Sequence, residues 1–159
     1  MTAKTAYRVS LSLLGDYQFL VSFGDLPDDA PLIVDEPAPL GGSAGPSPAA
    51  LLAAAAANCL AASLLYCLRR AQTHVAGLSA EAVVSLGRNE AGRLRVTRID
   101  VRLSPAVGDN GASLARCREI FEDYCPVTQS LRQGIPVGVT VEPAGLDTRG
   151  PAAVRVERA

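Results

Sequence analysis

The segment 45-GPSPAALLAAAAANCLAASLLYCLRRA-71 decides how the rest of the chain is read. Positions 49 to 68 carry no charge, and nine of the residues between Ala49 and Ala62 are alanine. Twenty such positions are long enough to cross a bilayer. Alanine, however, is the best helix former and contributes little to membrane insertion. No Trp or Tyr belt brackets the run, and it holds Asn58 and two cysteines. A helix apolar on all faces that does not span a membrane lies inside protein. The segment is therefore expected to be a buried central helix, with no membrane partner. Ser47 is placed to cap it and Pro48 to occupy its first position. It should run to about Gln72, with Arg69 and Arg70 where cations suit the dipole and Gly77 near the end.

Around this helix the pattern is that of a mixed α+β domain, a single unit over residues 1–159. "YRVSLSLL" (7–14) and "YQFLVSF" (17–23) alternate as two strands joined by a turn at Gly15–Asp16. A loop rich in Pro, Gly and Asp follows, with one short strand at 32–34. "LSAEAVVSLG" (78–87) and "RLRVTRIDVRLS" (93–104) alternate again and flank "RNEAG", which predicts an antiparallel hairpin. Ser113 is a candidate cap for a helix over 114–124. Cys125–Pro126 breaks it, because proline disfavours helical backbone in the residue before it. A short helix restarts at Pro126 and stops at Gly134, and "IPVGVTVE" (135–142) reads as a last strand.

Apolar residues make up 48% and charged residues 19% of the 159, which places the chain among globular domains. A net charge of −1, no Trp and 4% aromatics give neither a basic surface nor stacking platforms for nucleic acid. "VSLSLLG" after Lys4 and Arg8 is too short and too alternating for a signal peptide. The cytoplasm is then the expected location, where thiols are mostly reduced.

Four cysteines dominate the chemistry. Cys59 and Cys67 are eight apart on one helix, and Cys117 and Cys125 eight apart near another. Each separation is about 12 Å of helix. Antiparallel packing of the two would let Cys59 face Cys125 and Cys67 face Cys117. Cys67 and Cys117 are expected to be small buried hydrophobes that stay reduced. Zinc spacing is absent, so no metal is expected. The lone His74 lies roughly 22 Å along the helix axis from Cys59, which argues against a Cys–His pair. "GGSAGP" lacks the Lys–Ser/Thr of a phosphate loop, and no G-x-S-x-G elbow occurs.

"DEPAPLGGSAGPSPAALLAAAAANCL", followed some sixty residues later by "YCPVTQSL", resembles the OsmC family, which includes the organic hydroperoxide resistance proteins. The resemblance covers nearly the whole chain. It implies an intertwined homodimer in which two long central helices are wrapped by antiparallel sheets. It also implies thiol-dependent reduction of small organic hydroperoxides in oxidative stress defence, with no bound cofactor. Carried over by motif, Cys59 is the peroxidatic cysteine and Cys125 the resolving one. An external dithiol, in some relatives a protein-bound lipoyl group, would regenerate them. The family's activating Glu, in the first turn of the long helix, corresponds here to Ala49. Its Arg from a strand turn has no counterpart in "LLGDYQF". Glu36 in "DEP" is the candidate supporting acid. The alternative reading is an OsmC-fold protein with weak or no peroxidase activity, binding a small apolar ligand or sensing redox state through Cys59.

Overall fold

The structure, a computed structural model, describes residues 6–24, 31–108 and 111–143. The stretch at 25–30, the first five residues and the tail from 144 onward lie outside the described residues. The element order is β1 (Val9–Gly15), β2 (Gln18–Phe23), β3 (Leu32–Val34), α1 (Pro48–Arg70), β4 (Val75–Arg88), β5 (Leu94–Val107), α2 (Ala112–Ile120), a 3₁₀ turn (Phe121–Tyr124) and α3 (Pro126–Gln133). The α+β class expected from the sequence is the one observed. Three strands form one antiparallel sheet in the order β1-β2-β3, and β4 and β5 form a separate long ribbon.

α1 begins as its sequence dictates. Ser47 is extended, its side chain accepts from the Ala50 amide, and Pro48 fills the first turn. The C-terminus differs from expectation. Gln72, not a glycine, takes the left-handed conformation (φ 57°). The Thr73 amide then reaches the Leu68 carbonyl and the Gln72 amide that of Arg69, each at 3.0 Å. That pair of bonds is the Schellman closure, so Gly77 is released to lie within β4.

The β4–β5 ribbon is three residues longer on each strand at its open end than the alternation predicted, starting at Val75 and ending at Val107. It turns through Asn89, whose side chain accepts from the Arg93 amide at 2.9 Å, and through Gly92 at φ 73°. β5 continues through Pro105, which pairs with Leu78. In a two-stranded ribbon the outer edge needs no amide from that residue. From Ile99 to Val107 every second residue of β5 is half-buried, the period of a strand with one covered face. That face packs on α1. Leu64, Leu68 and Cys117 are the buried centre, with Val75, Leu78, Leu103, Val107, Leu114 and Phe121 around them.

Two expectations are corrected, for α2 and for residues 135–142, while α1 is covered on one flank: Ala53, Ala56, Ala57, Leu60, Ser63, Leu64 and Leu68 are buried, whereas Ala54, Ala55, Asn58, Ala62 and Tyr66 are exposed. A single chain supplies a sheet and short helices on one flank only. α2 starts earlier than Ser113, with Gly111 at its N-cap at φ 79° and no side-chain cap. Residues 135–142 form no strand within the chain. Val137, Val139 and Val141 are 82%, 79% and 89% exposed, because no sheet edge of the same chain lies alongside them. α1 is, among the described residues, the one helix long and apolar enough to cross a bilayer, and its apolar inner face is packed against β4 and α2.

Candidate functional site

The two helical segments pack as the eight-residue spacings permit, and they form two cysteine rungs. Cys67 and Cys117 are joined by a disulfide, with Cα atoms 5.8 Å apart. This overturns the expectation that both stay reduced as small core residues. They lie in the core, with Cys117 1% exposed, but as a covalent tie between α1 and α2. The equal spacing was the signal; sequence alone does not say whether facing thiols bond.

The second rung, two turns toward the start of α1, is Cys59 and Cys125, both free thiols. Cys59 is half-buried on α1. Cys125 is fully buried and is the N-cap of α3, with extended backbone (φ −92°, ψ 98°) ahead of Pro126. The Cys59 thiol faces the Cys125 sulfur as the donor side of the pair, near enough for each to shift the acidity of the other.

The surroundings push the two thiols apart in acidity. Burial raises Cys59 first, and its pairing with Cys125 raises it further; the Val127 amide acts in the opposite sense. Burial also opposes ionisation of Cys125, but it is outweighed. The Cys59 donor, the Thr128 hydroxyl and the first-turn amides of Val127 and Thr128 together hold Cys125 below the usual thiol range. No side-chain cap bond closes at Cys125. The first-turn groups therefore act on its sulfur as oriented dipoles, as expected at a helix start. Among the described residues, no guanidinium acts on either sulfur.

Thr128 also acts on the Cys125 sulfur and was not singled out from the sequence. It is 8% exposed, and its Oγ1 is buried without a hydrogen-bond partner. Its position three residues after an N-cap was the available signal.

Glu36 lies on the loop between β3 and α1, where its amide donates to Asp35 Oδ1 and its carbonyl accepts from Ser43. It is not among the groups that act on the two sulfurs. Its neighbour Asp35 organises that loop. The Asp35 carboxylate is buried and accepts from the amides of Glu36 at 2.8 Å and of Gly42 and Ala44 at 3.0 Å. These donors, that of Ala44 foremost, hold it below the usual carboxylate range against desolvation. The glycines make the wrap possible. A methyl group on Gly41 would collide with the Glu36 carbonyl, and one on Gly45 with that of Ile33. The "GGSAGP" run is thus a collar around Asp35 that delivers the chain to Ser47. An acid next to an amide-rich glycine loop was its trace in the sequence. Among the described residues, no group of three or more His, Cys, Asp or Glu side chains could hold a metal ion.

A long helix backed by a β-ribbon, with paired thiols where it meets a second helical segment, defines a class of α+β proteins with cysteines at a helix crossing. The sequence matches the OsmC-like protein family over residues 41–140, and the chain belongs to that family. Among solved structures it resembles an OsmC-like protein of unknown function from Vibrio cholerae O1 biovar eltor. The TM-score is 0.68 at 16% identity, covering 80% of this chain and 94% of that one. It is similarly close to the organic hydroperoxide resistance protein OsmC of Legionella pneumophila (TM-score 0.63, 19% identity, 82% and 92% covered). An organic hydroperoxide resistance protein from Elizabethkingia anophelis, holding thiocyanate, gives 0.63 at 19% identity with 83% and 91% covered. These likenesses establish the fold. No curated protein matches the chain by sequence.

Proposed function

We propose that the protein is a thiol-dependent reductase of small organic hydroperoxides that works through Cys59 and Cys125. The observation that carries this reading is the facing pair of free thiols, Cys59 half-buried on α1 and Cys125 buried at the start of α3, with opposed shifts in acidity. Cys59, the more accessible of the two, attacks the distal peroxide oxygen. As it does so its proton moves to the Cys125 sulfur, which is held toward the thiolate. The O–O bond breaks, and that proton passes to the departing alkoxide, giving the alcohol. Cys59 is left as sulfenic acid and Cys125 as thiolate. The thiolate attacks the sulfenic sulfur, expels hydroxide and closes a Cys59–Cys125 disulfide. An external dithiol restores the pair by exchange and is itself oxidised to a disulfide.

In this scheme Cys125 supplies the base that Ala49 and the arginine-free first hairpin turn do not. The alanine-lined helix favours apolar peroxides. A homodimer across the open face of α1 is part of the same proposal, supported by the uncovered stripe at 54, 55, 58 and 62. Cumene hydroperoxide consumption with dithiothreitol tests the chemistry. Turnover should be lost to background in Cys59→Ser and Cys125→Ser. Wild-type turnover that survives in Cys59→Ser would refute the assignment. Absence of turnover in the wild type, with Cys59 still oxidised to a sulfenic acid, would favour the redox-sensor reading.

A further inference from the structure

The Cys67–Cys117 bridge is not part of the proposed peroxidase, yet it is not sealed off. It forms part of the wall of a cleft of about 730 Å³ between the C-terminal half of α1 and α2. Arg70 and Arg116 stand in the same wall, with Tyr66 and Tyr124 beside them. No carboxylate is among the lining residues, and neither arginine forms an ion pair among the described residues. Arg70 is instead held by the Tyr66 hydroxyl at 3.2 Å and by its ring, 5.9 Å from the centroid. The first turn of α2, at Ala112 and Ser113, adds its amide dipoles to the same cleft. A concave wall carrying two unpaired guanidiniums concentrates anions.

We propose that the Cys67–Cys117 bridge is a second redox centre, which exchanges with small anionic thiols that the arginines draw into this cleft. The thiolate of such a molecule attacks the sulfur of Cys67, the less buried of the two residues. The bridge S–S bond breaks, Cys117 leaves as thiolate, and a mixed disulfide forms on Cys67. A second thiolate attacks the outer sulfur of that mixed disulfide and releases the Cys67 thiolate. Two small thiols are oxidised to one disulfide, and the bridge is reduced by two electrons. Opening it unties α2, and with it the segment leading to Cys125, from α1. The proposal is independent of the peroxidase reading, because it concerns only the other two cysteines.

The test uses the full chain with Cys59→Ser and Cys125→Ser, so that only the bridge reports. Its reduction is followed by alkylation and mass spectrometry with 3-mercaptopropionate (anionic), 2-mercaptoethanol (neutral) and cysteamine (cationic). Rates are compared per thiolate present. The anionic thiol should react about tenfold faster than the cationic one, and rising salt should erode the preference. Arg70→Gln with Arg116→Gln should bring the three rates together. If that variant does not fold, the salt series on the parent decides alone. Equal rates, a preference for cysteamine, a salt-independent preference, or a bridge that opens only in denaturant would each overturn the proposal.

Discussion

Thr128 carries the clearest physical tension in the protein. A buried hydroxyl without a partner costs about 1–3 kcal/mol relative to a satisfied one, yet here it sits over the Cys125 sulfur and favours its thiolate. Valine has the same shape and no hydroxyl. Thr128→Val should therefore leave the melting temperature unchanged or raise it, while the pH midpoint for Cys125 alkylation moves up. Measuring both separates the two effects. A large loss of stability with no change in the alkylation profile would mean that the hydroxyl serves packing alone. Spacing let Cys59 face Cys125 and Cys67 face Cys117 alike, and it was the resemblance to the OsmC family that singled out Cys59 and Cys125 for redox chemistry. Thr128 was not legible, since being unpaired is a property of surroundings assembled from α1 and α3 together.

Among the elements, the collar between β3 and α1 is the most sharply determined. Asp35 has its folded pKa lowered by the Ala44, Glu36 and Gly42 amides. A carboxylate lowered on folding adds stability that is complete above its unfolded pKa, about 3.9, and is lost as the pH falls through the folded value. Asp35→Asn should lower the melting temperature at pH 7 by several degrees. It should also flatten the decline below pH 4, and thermal melts from pH 7 to pH 3 would record both. Parallel melting curves for the two proteins across that range would contradict this. The start of α1, the short strand at 32–34 and the restart at Pro126 were all written in capping and proline chemistry. The end of α1 was not, because Gln72 adopts φ > 0 where a glycine is the usual occupant. The length of the β4–β5 ribbon was underestimated because its open end depends on packing against α1.

For the whole molecule, what the chain leaves uncovered is as informative as what it buries. Tyr7 ahead of β1, Val9, Leu11 and Leu13 on it, and Val137, Val139 and Val141 near the end of the described chain are all exposed, and together with the α1 stripe they need a cover. A second copy would supply it, and the lone extended segment 135–142 would find its missing edge there. Sedimentation velocity at low micromolar concentration should give a dimer, and Val139→Asp should shift it toward monomer. A folded wild-type monomer under those conditions would count against the proposal. The alternation of 135–142 read as a last strand and the structure forms none there, because pairing is a relation between two segments and no partner for this one lies among the described residues.

The two rungs are nested, and this bears on how the protein would be assembled from a reduced, unfolded chain. Cys59 and Cys125 are separated by about 66 residues of open chain. Once the inner bridge at Cys67 and Cys117 has closed, only about 16 residues and the bridge separate them, which lowers the entropic cost of their encounter by roughly 1 kcal/mol. The inner crosslink thus acts as a splint in oxidative folding. It favours the order inner first and outer second, and while it is closed it keeps the outer pair together.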